Sequence, residues 1–171
     1  NTTNGGGGAV TITGTLDSNT SSRNLDILSG DQTAEITGNI GTGTAFTTLE
    51  INAETGAGNT GAVTLGGDIG VSGTAGSGAT EIGNANTTGA ITLNGTTYFT
   101  SGALAIDGGS YVISNASDIT IKTSNQTVAF GTGDVTLGNM KLTVDTDAGD
   151  NGAGGDISFA GNILGTTSGS G

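Results

Sequence analysis

The chain alternates aliphatic and hydroxyl side chains in pieces only three residues long. Val10-Thr11-Ile12, Val63-Thr64-Leu65, Ile91-Thr92-Leu93, Ile119-Thr120-Ile121, Val135-Thr136-Leu137 and Leu142-Thr143-Val144 repeat one pattern, and Ile157-Ser158-Phe159 repeats it with Ser for Thr. Several copies carry a Gly two residues further on, at Gly14, Gly67, Gly95 and Gly161. A period of two over so short a run predicts β-strand, with the aliphatics on one face and the hydroxyl residue on the other. Val10, Ile12, Val63, Leu65, Ile91, Leu93, Ile119, Ile121, Val135, Leu137, Ile157 and Phe159 are therefore expected to point inward. No stretch shows the 3.6-residue period of an amphipathic helix, so the predicted class is all-β.

Aliphatic positions between these copies extend the series: Leu25/Ile27, Ile36 with Ile40, Leu49/Ile51, Ile69/Val71, Ile82, Leu104/Ile106, Val112 or Ile113, and Val128/Phe130. The connectors carry Gly, Asn, Asp, Ser and Thr, the residues that turn a chain. Many short strands fit either a sandwich or barrel of hairpins or a parallel β-helix. Two-residue hairpin signals are sparse, namely Asn4-Gly5, Asn94-Gly95, Asp107-Gly108 and Asn151-Gly152. The aliphatic-Thr-aliphatic phase is constant, as equivalent strands stacked in register require. Both features favour a parallel β-solenoid with short strands and Gly/Asn/Asp-rich turns. With two or three strands per coil it has roughly six to eight coils, and at about 4.7–4.9 Å per coil it is a rod on the order of 35 Å long.

Residues 1–24 and 148–171 align at an offset of 147, with Asn4, Gly5, Gly7, Gly8, Gly14, Thr20 and Ser21 recurring as Asn151, Gly152, Gly154, Gly155, Gly161, Thr167 and Ser168. The alignment predicts that the chain begins and ends at equivalent points of an array. Residues 1–171 are then one solenoid segment, a tile of a longer tandem-repeat chain or filament. The polar start, Asn1-Thr2-Thr3-Asn4, lacks the apolar stretch of a signal peptide, which fits a removed leader or an internal piece.

Charge and composition narrow the function. Fifteen acidic residues stand against three bases, Arg23, Lys122 and Lys141, for a formal charge of −12. Nucleic-acid binding and a polybasic membrane contact both need a basic face, so neither partner is expected. No apolar run is long enough for a membrane-spanning helix. Without Cys or His the chain has no disulfide and no thiolate or imidazole metal ligand. Aromatic residues make up only 4% of the chain, which suits a narrow core filled by Val, Ile, Leu and Ala. The 35 Gly interleave with aliphatic segments instead of forming tracts, which argues against a disordered low-complexity chain.

Two stretches carry a family likeness. One is Leu49-Glu50-Ile51-Asn52-Ala53 followed by Gly61-Ala62-Val63-Thr64-Leu65-Gly66-Gly67-Asp68-Ile69-Gly70. The other is Leu142-Thr143-Val144-Asp145-Thr146 followed by Gly155-Asp156-Ile157-Ser158-Phe159-Ala160-Gly161-Asn162-Ile163. They resemble the repeats of large bacterial surface proteins of the filamentous-haemagglutinin and autotransporter-adhesin type. The resemblance is one of style over most of the chain, without a diagnostic motif. It implies a right-handed parallel β-helix at the cell surface or outside the cell, structural or adhesive. The expected partners are further copies of the chain, head to tail, as equivalent uncapped ends imply, and host or neighbouring-cell glycans or proteins. The resemblance carries over no catalytic residue.

The alternative is a carbohydrate-active β-helix enzyme of the polysaccharide-lyase or glycosidase type. Glycoside hydrolysis needs two carboxylates about 5–9.5 Å apart across a cleft. Glu35, Glu50, Glu54 and Glu81 are scattered in sequence, and one of them would have to pair with an Asp of a neighbouring coil. With three bases and few aromatics to stack on sugars, the expectation is no enzyme. Asp145, Asp147, Asp150 and Asp156 form the densest acidic cluster, and alternating carboxylates with intervening Gly suit a Ca²⁺ loop, since a hard cation takes several oxygens from a bent backbone. The order departs from both the EF-hand and the nonapeptide repeat, so the competing reading is a polar loop between strands. No other cofactor is expected. A Thr row also raises ice binding, but the residues two places beyond Thr11, Thr64, Thr92, Thr120, Thr136 and Thr143 give no second Thr column.

Overall fold

The computed structural model describes residues 7–19, 23–54, 59–113, 115–150 and 152–166. Within them the chain forms, in order, β1 (Val10–Ile12), β2 (Asn24–Ile27), β3 (Ala34–Ile36), β4 (Phe46–Ile51), β5 (Val63–Leu65), β6 (Ser77–Gly83), β7 (Ala90–Leu93) and β8 (Thr97–Thr100). There follow β9 (Leu104–Asp107), β10 (Ser110–Ile113), β11 (Ile119–Thr123), β12 (Val128–Phe130), β13 (Asp134–Leu137), β14 (Leu142–Asp145), β15 (Ile157–Phe159) and β16 (Ile163–Gly165). Every strand pairs in parallel with strands one coil away, and the chain is a parallel β-solenoid of about six turns.

Three columns of strands run along the rod. The first is the sheet β1-β3-β5-β7-β10-β13-β16, in which Val10, Ala34, Val63, Ile91, Tyr111, Val135 and Ile163 stack in register. Successive coils therefore take 24, 29, 28, 20, 24 and 28 residues. The second column begins with single bridges at Leu16, Ile40 and Ile69 and continues through Tyr98 of β8, Ile121 of β11 and Val144 of β14. The third stacks Ile27, Ile51, Ile82, Ile106, Phe130 and Phe159. The inward faces of the three columns meet in one continuous aliphatic core. Each fully buried side chain of this kind contributes roughly 1.5–3 kcal/mol. Near its C-terminal end the core turns aromatic. Phe130 meets Tyr111 edge-on with centroids 5.2 Å apart, and Phe159 stacks on Phe130 at 4.7 Å.

The Gly of the sequence motif has a steric cause. Gly14, Gly38, Gly67 and Gly95 lie one above another at the corner after the first column. A Cβ on Gly38 would stand 2.1 Å from the carbonyl oxygen of Gly14, on Gly67 2.4 Å from that of Gly38, and on Gly95 2.4 Å from that of Gly67. Coils one strand spacing apart leave no room there for any side chain.

Most of the inward residues lie as the alternation predicts. Val63, Leu65, Ile91, Leu93, Ile119, Ile121 and Val135 are buried, Val10, Ile12, Leu137 and Phe159 are partly buried against the core, and the intervening Thr are more exposed. Ile157 departs from the expectation: it is 48% exposed because no described strand lies beyond β15 in its column. Val71 is also exposed, in a tight loop where it bridges Thr74. Ile113 and not Val112 faces the core.

Two further expectations are corrected. The motif copies are not one recurring strand. Those at Val10, Val63, Ile91 and Val135 belong to the first column, those at Ile119 and Leu142 to the second, and that at Ile157 to the third. The offset of 147 consequently joins non-equivalent points, since Val10 has Ile163, not Ile157, as its counterpart along the first column. Short aliphatic-Thr-aliphatic strands look alike in sequence whichever face of the rod they build. Residues 1–6 and 167–171 of that alignment lie outside the described residues.

Candidate functional site

The corners of the solenoid, where polar residues concentrate, divide into three kinds of arrangement. At exposed corners a side-chain oxygen of one coil accepts a backbone N–H of the next. Asp17 accepts from Gly43 at 2.8 Å, Asn39 from Asp68 at 3.0 Å, Asp68 from Thr96 and Thr97 at 2.6 and 2.9 Å, Asp118 from Lys141 at 2.9 Å and Asp134 from Asn162 at 2.9 Å. Four of the fifteen acidic residues thus accept backbone amides that turns leave unpaired.

At the corner between the second and third columns, hydroxyls point inward. Ser77, Thr100, Thr123 and Thr146, which lie outside the aliphatic-Thr-aliphatic copies, are buried. Each is satisfied: Ser77 Oγ bonds Thr80 Oγ1 at 2.6 Å, Thr100 donates to the carbonyl of Gly102 at 2.8 Å, Thr123 to that of Gln126 and Thr146 to that of Gly155 at 2.7 Å. At the corner after the third column, Asn52 and Asn84 are buried. Asn52 Oδ1 accepts the Ser29 N–H at 2.9 Å and its Nδ2 donates to the Gly30 carbonyl at 3.3 Å. Asn84 Nδ2 donates to the carbonyl of Asn52 at 2.7 Å. The signal for this ladder was an Asn one residue after the last inward Ile of β4 and two residues after that of β6.

Two buried phenols complete the polar core. Tyr98 Oη accepts the Gly95 N–H at 2.8 Å and donates to the Leu65 carbonyl at 3.3 Å. Tyr111 Oη accepts from Gly108 and donates to Ile106, both at 3.1 Å. Burial pushes both phenols above the ordinary range. The accepted N–H bonds oppose that shift, and the carboxylates of Asp68 and Asp107 respectively add to it.

The sequence-selected carboxylates separate into distinct settings. Asp26, Glu50 and Glu81 stack in register on the outer face of the third column, a row of like charges one strand spacing apart. Glu35 projects from the first column, and Glu54 is exposed beyond the end of β4. Glu81 does share a depression of about 240 Å³ with an Asp of the next coil, Asp107. Beside it a larger groove of about 410 Å³ runs between the turn after β6 and the turn after β9, with Asp107 on the wall common to both.

The structure does not gather Asp145, Asp147, Asp150 and Asp156 into a metal site. Asp145 lies 3.8 Å from Lys122 Nζ and accepts the Asp147 N–H at 3.0 Å, while Asp147 Oδ2 accepts the Gly152 N–H at 2.9 Å. Asp150 and Asp156 are exposed on separate parts of the loop. Among the described residues no group of three or more acidic side chains is placed to hold a metal ion. No protein-family model, curated protein or solved structure matches the chain.

Proposed function

We propose that this solenoid is a structural and adhesive segment of an extracellular bacterial surface protein or filament, extended coil on coil from its ends. The observation that carries the reading is the state of those ends. Ile163 is 50% exposed and Ile157 48% at one end, while Val10, Ile12, Leu16 and Leu25 are only partly covered at the other. Between them the core is continuous. Among the described residues no helix or loop crosses either face, and the first and last coils of that set carry strand edges with apolar side chains above a polar rim. Such an edge is a template for another coil, and head-to-tail contact that does not close gives a filament.

Carboxylates outnumber bases at both rims, with Asp17 and Asp26 beside Arg23 at one end and Asp145, Asp147, Asp150 and Asp156 beside Lys122 and Lys141 at the other. Assembly therefore requires salt to screen the repulsion. The expected result is concentration-dependent end-to-end association in sedimentation and electron microscopy, with a fibre repeat of about 4.7–4.9 Å along the rod. Ile163→Lys should abolish it without changing the circular dichroism. A protein that stays monomeric at every salt and concentration, with the Lys variant indistinguishable, overturns the reading.

The enzymatic alternative has one observation in its favour, the Glu81 and Asp107 pair. The depression that they line is open to solvent, Glu81 is exposed, and nothing shields a reacting bond from water. This arrangement supports holding a ligand over cleaving one. Glycan cleavage that disappears in Glu81→Gln or Asp107→Asn would establish the opposite.

A further inference from the structure

We propose that the groove beside Asp107 is a saccharide subsite that takes a neutral sugar through a pair of adjacent hydroxyls. The proposal rests on the adhesive half of the functional reading and adds a place and a ligand class to it.

Asp107 differs from the other corner carboxylates. Asp17, Asp68, Asp118 and Asp134 each accept an amide of the next coil, but Asp107, half-buried at the end of β9, accepts no hydrogen bond among the described residues. The backbone makes room for it in that state. Gly83 is its register partner one coil down, and Gly131 lies against it from the coil above. A Cβ on Gly131 would stand 1.9 Å from Asp107 Oδ1 and 2.9 Å from Tyr111 Oη, so any other residue there would displace the carboxylate. The turn after β9 is the shortest way back to the first column, and the coil from Ile91 to Tyr111 takes only 20 residues. The preceding turn is longer, and the step between the two is the groove.

The lining sets the ligand chemistry. Gly108, Gly109 and Gly131 give the groove side-chain-free stretches, and Thr88 and Thr132 bring exposed hydroxyls to it. The chain's bases, Arg23, Lys122 and Lys141, do not line it, and Glu81 lies in the adjoining depression. Phosphates and uronates are therefore repelled. A carboxylate with both oxygens free is suited to two O–H donors side by side, and such charge-assisted bonds are about twice as strong as neutral ones. The volume of about 410 Å³ lies within the range of small-ligand sites. No aromatic ring lines it to stack on a sugar, so single-site binding is weak, and useful attachment comes from many copies along one filament.

The test is a titration of ¹⁵N-labelled protein with methyl α-mannopyranoside, methyl α-glucopyranoside and methyl β-galactopyranoside. At least one glycoside should give saturable amide shifts at Gly108, Gly109, Gly131 and Thr132, with Kd in the millimolar range, about 1–50 mM. Asp107→Ala should weaken binding at least about tenfold, and the isosteric Asp107→Asn guards against loss of fold by keeping the shape while removing the charge. Absence of saturable shifts with all three glycosides, shifts mapping elsewhere, or wild-type binding by both Asp107 variants overturns the proposal. Sedimentation of the same samples separates the two readings. Filaments without glycoside binding refute the subsite alone, and glycoside binding without filaments refutes the assembly alone.

Discussion

Replacing Asn52 tests whether the corner ladder, and not only the aliphatic core, holds the coils together. Asn52 is buried and sits at φ 52°, in the left-handed region that costs most L-residues roughly 1–2 kcal/mol. In Asn52→Ala the buried Ser29 N–H loses its acceptor at 2.9 Å, a desolvation loss of about 1–3 kcal/mol. The Gly30 carbonyl loses its donor as well, and alanine bears the left-handed strain that asparagine tolerates. Together these lower stability by about 3–4 kcal/mol, a large share of the roughly 5–15 kcal/mol typical of a domain. Asn52→Gly loses the same hydrogen bonds but fits the backbone, so it should be about 1 kcal/mol more stable than the alanine variant. Urea titration followed by circular dichroism measures both, with the slopes compared so that a change in cooperativity is not read as a change in stability. An alanine variant within about 1 kcal/mol of wild type, or a glycine variant less stable than alanine, would falsify the reasoning.

Glu50→Gln removes the middle charge of the Asp26, Glu50 and Glu81 row and should raise stability by a few tenths of a kcal/mol in low-salt thermal melts. The gain should vanish near 1 M salt, where the screening length is about 3 Å. Ile91→Ala, at the centre of the first column, should cost about 2–5 kcal/mol in the same urea assay, whereas Ile163→Ala at the exposed end should cost less than about 1. Tyr98 and Tyr111 should show no phenolate absorbance at 295 nm until well above the usual pKa of about 10. Because their folded pKa values are raised, their contribution to stability is complete below the unfolded value. It is lost as pH rises from there through the folded value, so the stability measured by urea titration should start to fall just above pH ~10. Glu35→Gln and Glu54→Gln should leave end-to-end association unchanged in sedimentation.

The class of the fold was legible because strand alternation is local: three residues suffice to show which side faces the core, and Val63-Thr64-Leu65 reads correctly on its own. The column to which a strand belongs was not legible, because all three walls of the rod select the same short pattern. The inward hydroxyls were missed for a related reason. Thr100 and Thr123 sit at strand ends, where a corner carbonyl within a few residues supplies the acceptor that a mid-strand Thr lacks. Of the carboxylates singled out, Glu50 stacks on Asp26 and Glu81 shares a depression with Asp107, neighbours 24 and 26 residues away in sequence that no local motif encodes. Asp107 itself entered the sequence reading only as part of an Asp-Gly pair, since its freedom comes from Gly131 above it. In the acidic loop at 145–156, Asp145 and Asp147 accept the loop's own amides, a use of carboxylates that their spacing in sequence does not reveal.

The corner staples give the rod an arrow. At Asp17, Asn39, Asp68, Asp118 and Asp134 the acceptor belongs to the earlier coil and the amide to the later one. Truncation is therefore unequal at the two ends. Trimming from the C-terminal side strips amides from carboxylates, which water solvates readily. Trimming from the N-terminal side removes the acceptors and leaves backbone N–H groups of the new first coil to fend for themselves. A chain emerging N-terminus first thus lays down each coil with the anchors for its successor already in position, and shortened versions should keep their fold when cut from behind far better than when cut from the front.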